Sequence, residues 1–483
     1  MNDILTPAVH RPLPRVLVAI ANHGMRNRRF LDQLLAEYRA MRRYDVKLVV
    51  HSNVPKDLGD DVEVHVGLPS NDPWSLPFAH KQLFAGQRND HDLYIYSEDD
   101  TLLKESQIDA FLQVSRVLPR EQIAGFMRYE IGPCGRKYFS GMHSHYHWDA
   151  HSVRRHGDWV FARHTNEHAA CYIMTRAQLH RAIDSGGYLL PPEKRSYGMP
   201  ETAATDPYTC CGMTKTVCIS RFDEFCLHHL PDAYWQTLGL EEEAARHEIA
   251  RLMSYASLGG GSPMGPLLKS PLLHDGDRWN KWYYETIRDD ILAAVPITAR
   301  RILSVGCGHA ATEAALAACG HQVTAIPLDS VISATGEAKG VRILPADLDL
   351  ACEHLNGSKF DCILLPDILQ LAPAPVGLLK RFRRHLADDG SMLVSVSNWN
   401  YLGILRQRMS KTGRRCLGCL AAANGAVVHR TTRSLVSNWL EQAGLPIIRH
   451  LGMPHRRLHK ISRWSLGLAN EVLCEKLIVM ASR

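Results

Sequence analysis

At 483 residues, 45% of them hydrophobic and 22% charged, the chain is too long for one ordinary core and has the composition of a globular protein with two or more domains. No apolar run approaches the ~20 residues that span a bilayer. The opening MNDILTPAVHRPLPR lacks the apolar centre of a secretory signal, so a cytoplasmic protein is expected. A formal charge of +6 is too small for a nucleic-acid footprint, although it suits anionic substrates and leaves room for peripheral membrane contact. Thirteen cysteines form an odd, scattered set whose only C-x-x-C runs from Cys416 to Cys419, which favours reduced structural thiols over a disulfide framework or a zinc ribbon.

Residues 1–14 read as a disordered tail. RVLVAIA (15–21) is a short apolar run of the kind that makes a buried parallel strand. The loop NHGMRN leads into a helix in which Phe30, Leu31, Leu34, Leu35 and Tyr38 recur at helical spacing. DVKLVVHS and VEVHVGL are strands, AHKQLFAGQRND a helix, DLYIYS a strand, SQIDAFLQVSRVL an amphipathic helix, and IAGFMRYEI a strand again. The alternation predicts an α/β domain with a mainly parallel sheet over residues 15–240.

The strand at DLYIYS ends in three acids, Glu98, Asp99 and Asp100. An acidic triplet alone is most often a solvated turn. In an extended chain, however, Glu98 and Asp100 share a face, oxygen ligands of this kind hold Mg²⁺ or Mn²⁺, and ligands collect beyond the carboxyl ends of parallel strands. GMHSHYHWDAHSVRRH, with alternating His143, His145 and His147, reads as a polar loop near substrate, with a zinc site as the alternative.

Residues 241–277 read as a helix followed by a Gly/Pro/Ser linker, SLGGGSPMGPLLKSP. A second alternation occupies 278–483. WNKWYYETIRDDILAAV is a lead-in helix, and RILSV a strand running into Gly306-Cys307-Gly308, an Ala-rich helix and a further strand. Glycines at such a turn let backbone pass close beneath a ligand at a helix N-terminus. KFDCILLPDILQLAPAPVGLLKRFRRHLADDGSMLVSVSN continues as strand, helix and strand.

In this order of segments the second half resembles the class I S-adenosylmethionine-dependent methyltransferases, over about 279–451. The resemblance implies cofactor binding by Gly306 and Gly308, adenine contact by Asp347, and a ribose-binding role for Asp329, two residues past Pro327, where the family carries its acid. Ser304 stands at the family's other acidic position and Ala310 at its third glycine, so a degenerate, non-catalytic domain is the alternative. Asp367 falls near the expected mouth of the site, or at a helix N-cap.

The first half resembles the nucleotide-sugar glycosyltransferases of the GT-A fold over residues 15–234, with a fainter likeness to exostosin-type enzymes at EDDTLL and TNEH. VLVAIANHG looks like the first strand and nucleotide loop, YIYSEDDTLL like the acidic metal motif, and TNEHAACYIMTRAQLHRA like the acceptor-side strand and helix. The resemblance implies a divalent metal on Glu98, Asp100 and His228 or His229. It implies nucleotide-sugar contacts from Asn22, Arg26 and Asp99, and a catalytic acid, Glu201 or Asp206, facing the acceptor. The expectation is a two-domain α/β enzyme, GT-A-like and then Rossmann-like. It would transfer a sugar from a metal-bound nucleotide-sugar to a glycan or lipid-linked acceptor and methylate the product with S-adenosylmethionine. The alternatives are a glycosyltransferase with an inert second half, or a methyltransferase with a carbohydrate-binding first half.

Overall fold

The computed structural model describes residues 12–237, 239–257, 262–268, 280–409, 428–452 and 470–483. The C-x-x-C pair and most of the expected N-terminal tail lie outside them. The chain divides into two compact units. One comprises residues up to Gly141 and Ser152–Glu242; the other comprises Met142–His151 and Glu243–Arg483.

The main sheet of the first unit has five strands in the order Cys171–Thr175, Leu93–Glu98, Arg15–Asn22, Asp45–Ser52, Val62–Val66. All neighbours are parallel except Cys171–Thr175, which runs antiparallel to Leu93–Glu98. Val16 to Ile20 are completely buried, as expected of a strand covered on both faces. The helix Arg28–Ala40 seats Leu31, Leu34, Leu35 and Tyr38 in the core. Phe30, read from its spacing as part of that stripe, is instead only partly buried and lines a cleft.

The order of strands reverses between Arg15–Asn22 and Leu93–Glu98. In an open α/β sheet such a reversal opens a crevice beyond the carboxyl ends of the two strands, and here those ends are Asn22 and Glu98. Two smaller sheets complete the unit. The strand Cys226–His229 in one of them pairs with Thr101–Leu102, bringing His229 opposite Thr101.

The second unit is built on a seven-stranded sheet in the order Arg342–Ile343, Gln322–Pro327, Arg301–Cys307, Phe360–Pro366, Leu386–Ser397, Lys476–Ser482, Ile447–Leu451. The first five strands are parallel; Lys476–Ser482 is antiparallel to both its neighbours. Leu303, Ile363, Leu365, Phe382, Val394 and Leu440 belong to the core on one face, and Ile302, Leu316, Leu364 and Ile478 to the core on the other. The strand order reverses again between Arg301–Cys307 and Phe360–Pro366.

Two expected elements are different in the structure. The lead-in helix shrinks to Asp289–Leu292. Upstream of it the backbone is spent on other partners: Tyr284 N donates to Ser144 O, and Tyr283 O accepts from His309 N. The Gly/Pro/Ser stretch is also packed where it is described. Ser330 N donates to Met264 O and Leu267 N to Leu328 O, so residues 264–267 dock on the loop after Gln322–Pro327.

Candidate active sites

The crevice of the first unit is a cleft of about 640 Å³ lined by His23, Arg26, Asn27, Arg29, Trp74, Glu98, Asp99, Asp100, His229 and Tyr234. Its floor is the acidic turn. Asp99 accepts hydrogen bonds from the buried Asn22 side chain and from Asn27 Nδ2 at 2.8 Å. His229 Nε2 lies 3.6 Å from Asp100 Oδ2, while its Nδ1 meets Glu130 Oε1 at 2.6 Å. Burial disfavours a charged His229, but Asp100 and Glu130 outweigh it and raise the imidazole to about 9.

The carboxylates themselves are poorly compensated. Among the described residues, Glu98 Oε1, Asp100 Oδ1 and Glu201 Oε2 are buried without a hydrogen-bond partner. Burial first and the Asp100 charge second lift Glu98 to about 8, with Glu201 adding to the shift. Burial and Asp100 likewise lift Asp99 to about 6, against the hydrogen bonds from Asn27 and Asn22. Orphaned carboxylate oxygens in a cleft are costly without a partner.

The structure therefore brings together Asn22, Arg26, Glu98, Asp99, Asp100, Glu201 and His229. It separates two others. His228 follows the alternation of its strand and turns from the acids to stack on Tyr129, with ring centroids 5.2 Å apart, and to meet Asp232 at 3.0 Å. Asp206 is fully buried in the helix Met199–Thr209, paired with Lys81 and held by Arg195 Nη1 at 2.9 Å, so it faces protein cations. Among the described residues no three His, Cys, Asp or Glu side chains already form a metal-binding group. The alternating histidines are engaged elsewhere: His147 stacks on Tyr283 and His143 Nδ1 lies 3.2 Å from Ser144 Oγ. Sequence reasoning missed Glu130, which anchors His229, and Asn27, whose side chain spans Asp99 and Asp100; an Asn five residues past a strand end carries no signal of its own.

In the second unit the reversal point holds the glycine loop. Gly306 has φ +83°, and a Cβ there would come 2.4 Å from Ile368; a Cβ on Gly308 would come 2.0 Å from Tyr283 O. The space these glycines leave is thus filled by the protein's own groups. Asp329, buried just past the second strand, accepts from Val331 N and Ile332 N through Oδ1, both at 2.8 Å. Ser304 Oγ donates to Glu313 Oε1 at 2.6 Å, and Glu313 Oε2 is buried without a partner. A carboxyl thus returns from the helix to the position where Ser304 replaced one.

Asp347 is exposed and caps the helix Leu348–His354, accepting from Asp349 N and Leu350 N. It also lines a cavity of about 720 Å³ with Gly265, Leu268, Ala372 and Arg381. Asp367 sits at φ +57°, a conformation that non-glycine residues rarely take. It caps no helix: Arg288 Nη1 at 2.8 Å and Lys476 Nζ at 2.9 Å hold it, and against its burial they keep the carboxyl well below the usual range.

Residues 279–450 match the family model described as a methyltransferase domain, and the C-terminal unit is a class I methyltransferase domain. Solved structures similar to the chain include an S-adenosylmethionine-dependent methyltransferase from Mesorhizobium loti, 20% identical over 40% of this chain and 96% of that one, with a TM-score of 0.30. A TehB-like methyltransferase from Corynebacterium glutamicum is 17% identical over 40% and 85%, with a TM-score of 0.27. The Burkholderia thailandensis 1,6-didemethyltoxoflavin-N1-methyltransferase, solved with 1,6-didemethyltoxoflavin and S-adenosylhomocysteine, is 17% identical over 40% and 73%, with a TM-score of 0.27. A search of curated proteins found no match.

Proposed function

We propose that the chain transfers the methyl group of S-adenosylmethionine to a small polar acceptor at the carboxyl ends of the C-terminal sheet. The observation that carries this reading is the family match over a sheet whose order reverses beside a strand–glycine–helix turn. The residues present suit the cofactor: Asp329 is a buried carboxyl just past the second strand that spends Oδ1 on its own loop, and among the described residues the buried Glu313 Oε2 has no hydrogen-bond partner. The bound cofactor supplies an electrophilic methyl on a sulfonium. The chain orients it and excludes water, and positioning accounts for most of the rate gain in such a transfer. The test is titration of the full chain with S-adenosylhomocysteine. Saturable binding that is weakened by Asp329→Asn supports the reading, and no binding at ~1 mM ligand overturns it.

A second reading is favoured by the orphaned oxygens of Glu98, Asp100 and Glu201. The N-terminal cleft suits a divalent cation carrying a sugar nucleotide, with Arg26 and Arg29 on the diphosphate side and the exposed rings of Trp74 and Tyr234 at the rim. Such a metal offsets charge on a departing diphosphate, and Glu201, next to Glu98, is the candidate base toward an acceptor hydroxyl. Two transferases on one chain would sequentially modify one glycan or lipid-linked acceptor in the cytoplasm. Nucleotide-sugar hydrolysis with Mn²⁺ tests the cleft, and equal rates in wild type and Asp100→Ala would sink it.

A further inference from the structure

Residues 142–151 belong by sequence to the first half, yet they pack within the C-terminal unit. Ser144 and Tyr284 form an antiparallel backbone bridge, with Tyr284 N donating to Ser144 O at 3.0 Å. The ring of His147 lies flush on Tyr283, with centroids 4.1 Å apart and planes 10° from parallel. His151 Nε2 is 3.2 Å from Gly265 O, and Gly265 sits so near Asp329 that a Cβ there would come 2.5 Å from the Asp329 Cβ.

These contacts converge on the cofactor end of the sheet. Tyr283 O accepts from His309 N at 2.8 Å and abuts Gly308, so whatever fixes Tyr283 fixes the glycine loop. Asp329 lies beside the same group of side chains. Burial raises its carboxyl, the charge of His147 opposes that rise, and Asp149 adds to it.

We propose that His147 is a positioning residue of the S-adenosylmethionine site, lent by the first half of the chain. It clamps Tyr283 against the glycine loop and sets a polar ring within electrostatic reach of the Asp329 carboxylate that would receive the nucleoside. The inference rests on the cofactor reading of this unit, and it makes the methyltransferase domain discontinuous in sequence. A fragment cut at the apparent linker would lack a side chain the site uses.

The test is titration of the full chain with S-adenosylhomocysteine in wild type, His147→Phe and His147→Ala, alongside thermal unfolding of each ligand-free protein. His147→Phe keeps a ring on Tyr283 and removes the ring nitrogens; His147→Ala removes both. The expected result is a Kd raised about tenfold in His147→Phe and further in His147→Ala, with the unfolding midpoint of His147→Phe within ~3 °C of wild type. Wild-type affinity in His147→Phe and His147→Ala overturns the inference while leaving the cofactor reading standing. Absence of binding by wild type overturns both. If His147→Ala does not fold, His147→Phe decides alone, because a merely structural role would lower its midpoint and leave its affinity intact.

Discussion

The two units place their candidate sites at the same topological position, the reversal point of a mainly parallel sheet, yet the acids that follow the strand on one side of that point, Asp100 and Asp367, are paired differently. In the N-terminal cleft Glu98, Asp100 and Glu201 converge with oxygens left unpaired. At the matching place in the C-terminal unit, Asp367 is held by Arg288 and Lys476, and Asp329 spends one oxygen on its own loop. Unpaired carboxylate oxygens suit a site that recruits a cation with its substrate, as the second reading proposes, whereas Asp367 already has its cations. On the proposed readings, strand topology sets where each ligand binds, while the pairing of buried charge sets what kind.

The largest expected effect separates a structural ion pair from a catalytic acid. Asp206→Asn leaves Lys81 and Arg195 without their buried partner and should cost about 3–5 kcal/mol of stability, measured by urea unfolding. Unchanged stability with lost activity would instead return Asp206 to the reacting groups. Gly308→Ala comes next. Its Cβ would meet backbone at Tyr283 O, which cannot swing aside, so a loss of about 1–3 kcal/mol and weakened S-adenosylhomocysteine binding are expected.

Glu98→Gln sharpens the comparison through pH. A carboxyl raised to about 8 in the folded state opposes folding once it must ionise, so wild-type stability falls as pH rises from ~4.5 to ~8. Glu98→Gln should flatten that fall by roughly 1–3 kcal/mol, and saturating Mn²⁺ should reduce the same slope in wild type. A slope that Mn²⁺ leaves unchanged would argue for an acidic turn without a cation. The smallest effect concerns Lys215, whose ammonium donates only to main-chain oxygens, that of Glu167 at 3.0 Å and that of Asn166 at 3.5 Å. Burial lowers it to about 7, so its penalty is present at neutral pH and disappears as pH rises from ~7 to ~10.5. Lys215→Met should therefore stabilise the protein by about 1 kcal/mol near pH 7 and by little near pH 10.

Much of this was legible in the sequence because buried parallel strands are written as short apolar runs. RVLVAIA and RILSV emerged as strands, and the acids and glycines that end such runs lie at the two reversal points proposed as sites. Three features were not legible, each for a physical reason. Asp206 reads as an acceptor-facing acid until Lys81, 125 residues away, arrives beside it. His228 and His229 are equivalent on paper, and only strand alternation sends one to Tyr129 and the other to Asp100. WNKWYYETIRDDILAAV has helical spacing, but Ser144 and His309 claim its backbone first. Long-range pairing decided the first and the last, and strand alternation the second.

The most direct test of the central claim is calorimetric titration of the full-length chain with S-adenosylhomocysteine. A C-terminal unit working as a methyltransferase predicts one saturable site with Kd below ~100 μM, weakened by Asp329→Asn. No heat at ~1 mM ligand from a folded protein would contradict it.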